Sequence, residues 1–420
     1  MAKDIEIFRK CCLDLLKLTE IRETINPEEF FSISIHEDRC LYYKPEYRTK
    51  INKLVDCLIE KREGFASNCS RDYLLQTIND FLFNLKFDKD PQKSIVIDRF
   101  FNSQLFKENT IFFVTRQIVN LFPDSEFSIG KVTFTPYSRE KYESIYRELG
   151  KNTDNMDRYL HFENDESVGC IARLKVSAVD FEKALELSDY LVEESLNVIK
   201  VYLTNASFGL RGTLGCLQSF ATIYDTKTEN LSSPMKNKDL NIPFILKLNW
   251  IEDFKNDHGL TNIDNILKKE NKTDMEENLI ISITFLSKIL KHTNDPENIA
   301  RLFTSMETLL IENEEKAYNL AERLAVINYL DESKRNELYN LVIKMYNERN
   351  KLVHEGLTKN GLPNFNGNEL SKLFMESRSC IITISKMIDK YEKLSDWKTD
   401  WEKLIKEANF SVVPKSNGKP

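Results

Sequence analysis

Near the C-terminal end of the chain, the run Tyr346-Asn347-Glu348-Arg349-Asn350-Lys351-Leu352-Val353-His354-Glu355-Gly356 sets an arginine, an amide and an imidazole close together. Arginine grips a phosphate with two parallel N–H donors. Histidine gives and takes protons near neutral pH. The combination points to cleavage of RNA without a metal ion.

These residues need a helix to align them, and the spacing predicts one. Leu338, Val342, Met345, Arg349 and Leu352 step by four, three, four and three, which marks a core-facing stripe. Arg349 takes a place on that stripe where an apolar residue is expected, and a charge there needs a partner or a substrate. Tyr346, Asn350 and His354 follow the adjoining edge at steps of four. Gly356 is placed to end the helix. A plain structural reading stands beside the chemical one. In it Arg349 pairs with Glu307 or Glu348, and His354 complements the negative helix C-terminus.

The surrounding sequence, from Glu276 onward, is almost purely helical in pattern. One helix is expected over Leu279 to Leu290. A second is opened by Asp295-Pro296, since proline suits a first turn where its missing N–H has no partner. A third covers Ala317 to Leu324, and Ser333 is expected to cap the fourth. A fifth runs from about Leu370 to Leu394, and Trp397 and Trp401 fall in a short final helix. The residues before Ile251 alternate. Helical spacing marks Ile5–Leu18, Tyr47–Lys61, Tyr73–Leu85 and Asp180–Tyr202. β-Branched and aromatic runs mark strands at Thr110–Val114, Gly130–Thr135, Cys170–Val176, Leu217–Tyr224 and Pro243–Leu248. Between Ile251 and Met275 the chain turns polar, with Lys268-Lys269-Glu270-Asn271-Lys272-Thr273-Asp274, and a linker is expected there. The fold class expected is therefore α+β. A mixed α/β region (1–250) is followed by a linker (251–275), an all-α bundle (276–410) and a tail (411–420).

Composition limits the other options. The 420 residues carry a formal net charge of -7, unlike a protein that coats nucleic acid. No apolar run reaches membrane-spanning length, and the N-terminal residues lack a signal-peptide layout, so a cytoplasmic protein is expected. The eight cysteines form no C-x-x-C pair, and with five dispersed histidines no metal or cofactor site is expected. His36-Glu37-Asp38 and His161-Phe162-Glu163 lack a second histidine at ligand spacing. Gly209-Leu210-Arg211-Gly212-Thr213-Leu214-Gly215 lacks the frame of a phosphate loop and reads as a turn.

Arg349-Asn350 with His354, at the end of a long helix in an all-α region, resembles the signature of the HEPN superfamily. Three segments sharpen the likeness to its ApeA-like branch. Ser305-Met306-Glu307-Thr308-Leu309 resembles S-x-E-x-L, and Ala321-Glu322-Arg323-Leu324-Ala325 resembles an E-R-x-A helix. Tyr346 to Gly356 is similar to Y-x-x-R-[SN]-x-x-V-H-x-G. The resemblance covers about residues 276–394. It implies a metal-independent endoribonuclease with Arg349, Asn350 and His354 as the catalytic group. It also implies a homodimer whose two motifs share one cleft, and a toxin-like role in abortive-infection defence against phage. RNA, with tRNA as a candidate, is the expected substrate, and a phage-derived trigger the expected signal. In that frame His354 takes the 2′-OH proton or protonates the leaving 5′-oxygen. Arg349 neutralises charge on the phosphoryl oxygens, and Asn350 orients the histidine or the phosphate. Glu307 is expected to partner Arg349, Tyr346 either to stack on a base or to pack in the core, and Lys351 to assist in substrate binding. Some members of the family have lost activity, so a dimerising or RNA-binding scaffold is the alternative.

Overall fold

The computed structural model describes residues 2–22, 33–36, 39–61, 69–87, 92–103, 109–148, 168–203, 209–210, 219–225, 231–232, 235–236, 244–289, 296–311, 316–355, 367–393, 395–397, 400 and 403. The fold is α+β, as the sequence pattern predicts, with strands and helices mixed in the first half and helices, without strands, among the described residues of the last third. The chain forms two compact units drawn from interleaved stretches: residues 1–115, 175–188 and 221–233 make one, and 116–174, 189–220 and 234–420 the other.

In the first unit, α1 (Ala2–Leu16), α2 (Pro45–Lys61), α3 (Arg71–Phe87) and α4 (Lys93–Ser103) bury Phe8, Leu54, Leu74, Leu82 and Phe101 in one core. These residues recur at helical spacing, so each helix presents one apolar face. Arg9 fastens α1 to α4 with a two-pronged contact to Asp98, at 2.7 and 2.5 Å. Strands β1 (Thr19–Arg22), β2 (Ile33–His36) and β3 (Arg39–Tyr43) form an antiparallel sheet in the order β1-β3-β2. The strand pattern of this stretch is short and broken by Glu20, Arg22 and Arg39, which hides it in the sequence.

The remaining strands are β4 (Thr110–Val119), β5 (Leu121–Pro123), β6 (Phe127–Ile129), β7 (Val132–Pro136), β8 (Val168–Ala178), β9 (Gly209–Leu210), β10 (Ser219–Asp225), β11 (Leu231–Ser232), β12 (Met235–Lys236) and β13 (Phe244–Leu246). An eight-stranded sheet has the order β11-β10-β4-β8-β7-β6, with β12 on β10 and β9 on β4, while β13 pairs in parallel with β5. In chain order α5 (Arg139–Glu148) lies between β7 and β8, and α6 (Phe181–Leu203) follows β8. Gly130, read as part of a strand in the sequence, instead turns between β6 and β7. It does so at φ 61, where an added Cβ would stand 2.7 Å from Leu267 Cβ. Of the glycine-rich run, residues 211–215 lie outside the described residues, as do His161 and Glu163.

The segment 251–275, expected as a linker, is largely helical. It carries α7 (Leu248–Asp257) and α8 (Leu260–Lys268), which bury Ile251, Leu260, Ile263, Ile266 and Leu267. Asp264 accepts from Gly130 N at 2.6 Å and from Lys268 Nζ at 2.6 Å, so the polar residues there serve a packed structure. Thr273 then starts α9 (Asp274–Ser287) with a capping box. Its hydroxyl accepts from Glu276 N at 3.3 Å, and the Glu276 carboxylate accepts from Thr273 N at 2.9 Å.

Four further helices follow: α10 (Pro296–Leu310), α11 (Lys316–Asn328), α12 (Glu332–Glu355) and α13 (Gly367–Met387), the last running into a short 3₁₀ turn at Ile388–Lys390. Pro296 occupies the first position of α10, as expected. Helix α13 touches α9, α10, α11 and α12 and so closes the bundle. Asp331, not Ser333, caps α12, because its carboxylate accepts from Lys334 N at 2.9 Å. Trp397 is buried edge-on against Tyr391 at 4.5 Å. Trp401 and the tail from 411 lie outside the described residues, as does Gly356. Among the described residues no helix is long and apolar enough to cross a membrane.

Candidate active site

Helix α12 carries the motif on its last turns. Leu338, Val342 and Met345 are fully buried, so the predicted stripe is real as far as Met345. Arg349 continues that line at the point where burial gives way, and it is half-buried. Its Nη1 donates to Asn350 Oδ1 at 3.1 Å. Its guanidinium carbon stands over the Tyr346 ring, 5.5 Å from the centroid. Its Nε has no hydrogen-bond partner among the described residues, and none of their carboxylates lies in ion-pair range of it. His354 lies in the same helix, one turn after Asn350, which places both on one edge by helical geometry.

One expectation is corrected here, and of the two readings of Tyr346 core packing is the one that holds. Glu307, expected to partner Arg349, instead accepts from the Tyr346 hydroxyl at 2.7 Å through Oε1 and pairs with Lys316 through Oε2 at 3.3 Å. Tyr346 is only 5% exposed, which denies its ring to a base. The ring packs edge-on to Phe303 at 5.0 Å and an interplanar angle of 79°. Burial, and then the Glu307 hydrogen bond, push its hydroxyl up to about 12, so it remains a donor at neutral pH. Lys351 is exposed and pairs with Glu348 at 2.7 Å.

The segments that resembled early HEPN helices have structural tasks around this site. Ser305 is wholly buried and donates to Ser282 O at 2.8 Å, with its hydroxyl 2.9 Å from that of Ser282. This locks α10 to α9. Arg323, 5% exposed, donates through Nη1 to Leu310 O and satisfies a carbonyl at the C-terminal end of α10. Lys344 pairs with Glu369 at 2.6 Å and Lys372 pairs with Glu337, fixing α12 against α13. Sequence reasoning missed Phe303 and Lys316. Phe303 read as one more core position, and Lys316, nine residues after Glu307, stood too far along the chain to suggest a pair.

The arrangement supplies a cation with no carboxylate counter-ion among the described residues, an amide beside it, and an imidazole-bearing residue one turn on. Such a set can hold a phosphodiester and move protons on it. Compared with protein-family models, with curated proteins and with solved structures, the chain matches none.

Proposed function

We propose that the chain is a metal-independent endoribonuclease and that residues 276–410 act as a HEPN-type bundle. The observation that supports this most is the state of Arg349. A purely structural arginine on a core stripe is expected to sit in an ion pair. Arg349 instead rests on an aromatic face and an amide, and its Nε is unpaired among the described residues. The Nε is itself buried, so the donors that remain for a phosphate are those of the Nη groups, of which Nη1 also holds Asn350.

In the proposed reaction the 2′-oxygen of the RNA attacks the neighbouring phosphorus, and the bond to the 5′-oxygen breaks. The electron pair leaves with that oxygen, the 2′-OH proton is removed and a proton reaches the 5′-oxygen. His354 carries these protons. Arg349 offsets the charge that builds on the phosphoryl oxygens, which is worth about 3 kcal/mol in a water-poor site. Asn350, already bonded to Arg349, fixes its direction. Two copies of the chain pair so that two motifs share one cleft, and the remaining domain restrains the nuclease until a phage-derived signal arrives. These last two statements follow the family resemblance.

The test is incubation of purified protein with tRNA and with total RNA in the presence of EDTA. The wild-type chain cuts RNA and spares DNA, which lacks the attacking hydroxyl. His354→Ala does not cut. RNA left intact by the wild-type chain under triggering conditions, or cut equally by His354→Ala, overturns the proposal in favour of a binding scaffold.

A further inference from the structure

We infer that Tyr346 is a positioning residue of this site: its ring carries the Arg349 guanidinium while its hydroxyl keeps Glu307 away from that cation. The inference rests on the function proposed above. Its geometric basis is a chain of contacts across two helices. Phe303 on α10 sets the Tyr346 ring edge-on at 5.0 Å, and the ring face then meets Arg349 at 5.5 Å. A guanidinium on a π face is held without a negative charge, so its in-plane N–H groups stay available to a phosphate. A carboxylate in the same place would occupy the fork that the phosphate needs. Glu307 is the carboxylate positioned to intrude, because the hydroxyl of the very ring that carries Arg349 binds it at 2.7 Å. That hydroxyl takes one of its oxygens and Lys316, at 3.3 Å, takes the other. The Tyr346–Glu307 hydrogen bond thus separates two charges that would otherwise pair and silence the site.

Tyr346→Phe tests this cleanly, because it keeps the ring and frees only Glu307. RNA affinity is measured by anisotropy with fluorescein-labelled bulk tRNA in the His354→Ala background. Values of kcat and KM are measured with His354 present. Tyr346→Phe is expected to lower both affinity and kcat about tenfold, the effect of losing roughly one charge-assisted contact. Adding Glu307→Gln to Tyr346→Phe is expected to restore both to within about threefold, since the intruding charge is gone. A packing defect would not be repaired by the second substitution. Tyr346→Phe with the parent's affinity and kcat overturns the inference, and so does a double variant that stays as low as Tyr346→Phe. If the affinity cycle holds while no form cuts RNA, the nuclease reading falls and the positioning role stands. If the wild-type chain cuts and the cycle is flat, only the positioning role falls.

Discussion

Arg349 decides between chemistry and packing, and its surroundings turn that choice into a measurement. A buried ion pair broken by Arg349→Ala would cost about 3–5 kcal/mol. Arg349 here is half-buried, with a ring and an amide beside it and no carboxylate partner among the described residues. Arg349→Ala is therefore expected to shift unfolding free energy by only about 1 kcal/mol, read from denaturant curves. The same change should reduce cleavage about a hundredfold or more, read from initial rates. The motif was legible in the sequence because a cation interrupted an apolar stripe at steps of four and three. The Glu307 assignment failed because spacing along a helix does not reveal which of two groups on a neighbouring helix will claim a carboxylate. Tyr346 claims it, from a ring that packs edge-on to Phe303.

Helix existence was readable wherever an apolar face recurs, as in α1, α3, α6 and α10, and Pro296 marked a start directly. The segment 251–275 was misread because charge density outweighed a sparse apolar face: Leu260, Ile263, Ile266 and Leu267 are spaced for a helix, yet lie just before Lys268-Lys269-Glu270. The pattern Thr273-Asp274-Met275-Glu276 was a capping box hidden in the same polar run. Two substitutions test whether these residues hold structure. Thr273→Ala is expected to cost about 1 kcal/mol through the lost cap, seen as a lower denaturant midpoint. Asp264→Ala leaves the Gly130 N–H without its acceptor and is expected to cost about 1–3 kcal/mol. A segment that merely connected would tolerate both changes without effect. At the start of α12 the cap fell to Asp331 instead of Ser333, and only the geometry of the turn separates these two candidates.

Across the whole molecule the α+β class followed from pattern alone, whereas the interleaved composition of the two compact units did not. Strand order and the return of residues 175–188 and 221–233 to the first unit are long-range pairings, which local periodicity does not encode. Overall stability carries a pH signature from Lys200 on α6. Desolvation, opposed by Glu193, brings its ammonium down to about 8 from the ordinary 10.5. The folded state then holds fewer protons than the unfolded state between those values. Lys200 alone contributes stability that increases with pH across that window, whereas the buried thiols of Cys12, Cys69, Cys170 and Cys380, whose ionisation burial opposes, contribute the reverse, so Lys200→Met should make stability fall more steeply with pH in chemical denaturation curves. The central claim, that α12 presents a ribonuclease motif, is tested most directly by the ends of the RNA fragments. When total RNA is exposed to the wild-type chain in EDTA and the ends are sequenced, the account predicts 2′,3′-cyclic phosphate and 5′-hydroxyl termini that vanish with His354→Ala. Fragments ending in 3′-hydroxyl, or cyclic phosphate ends that persist in His354→Ala, would contradict it.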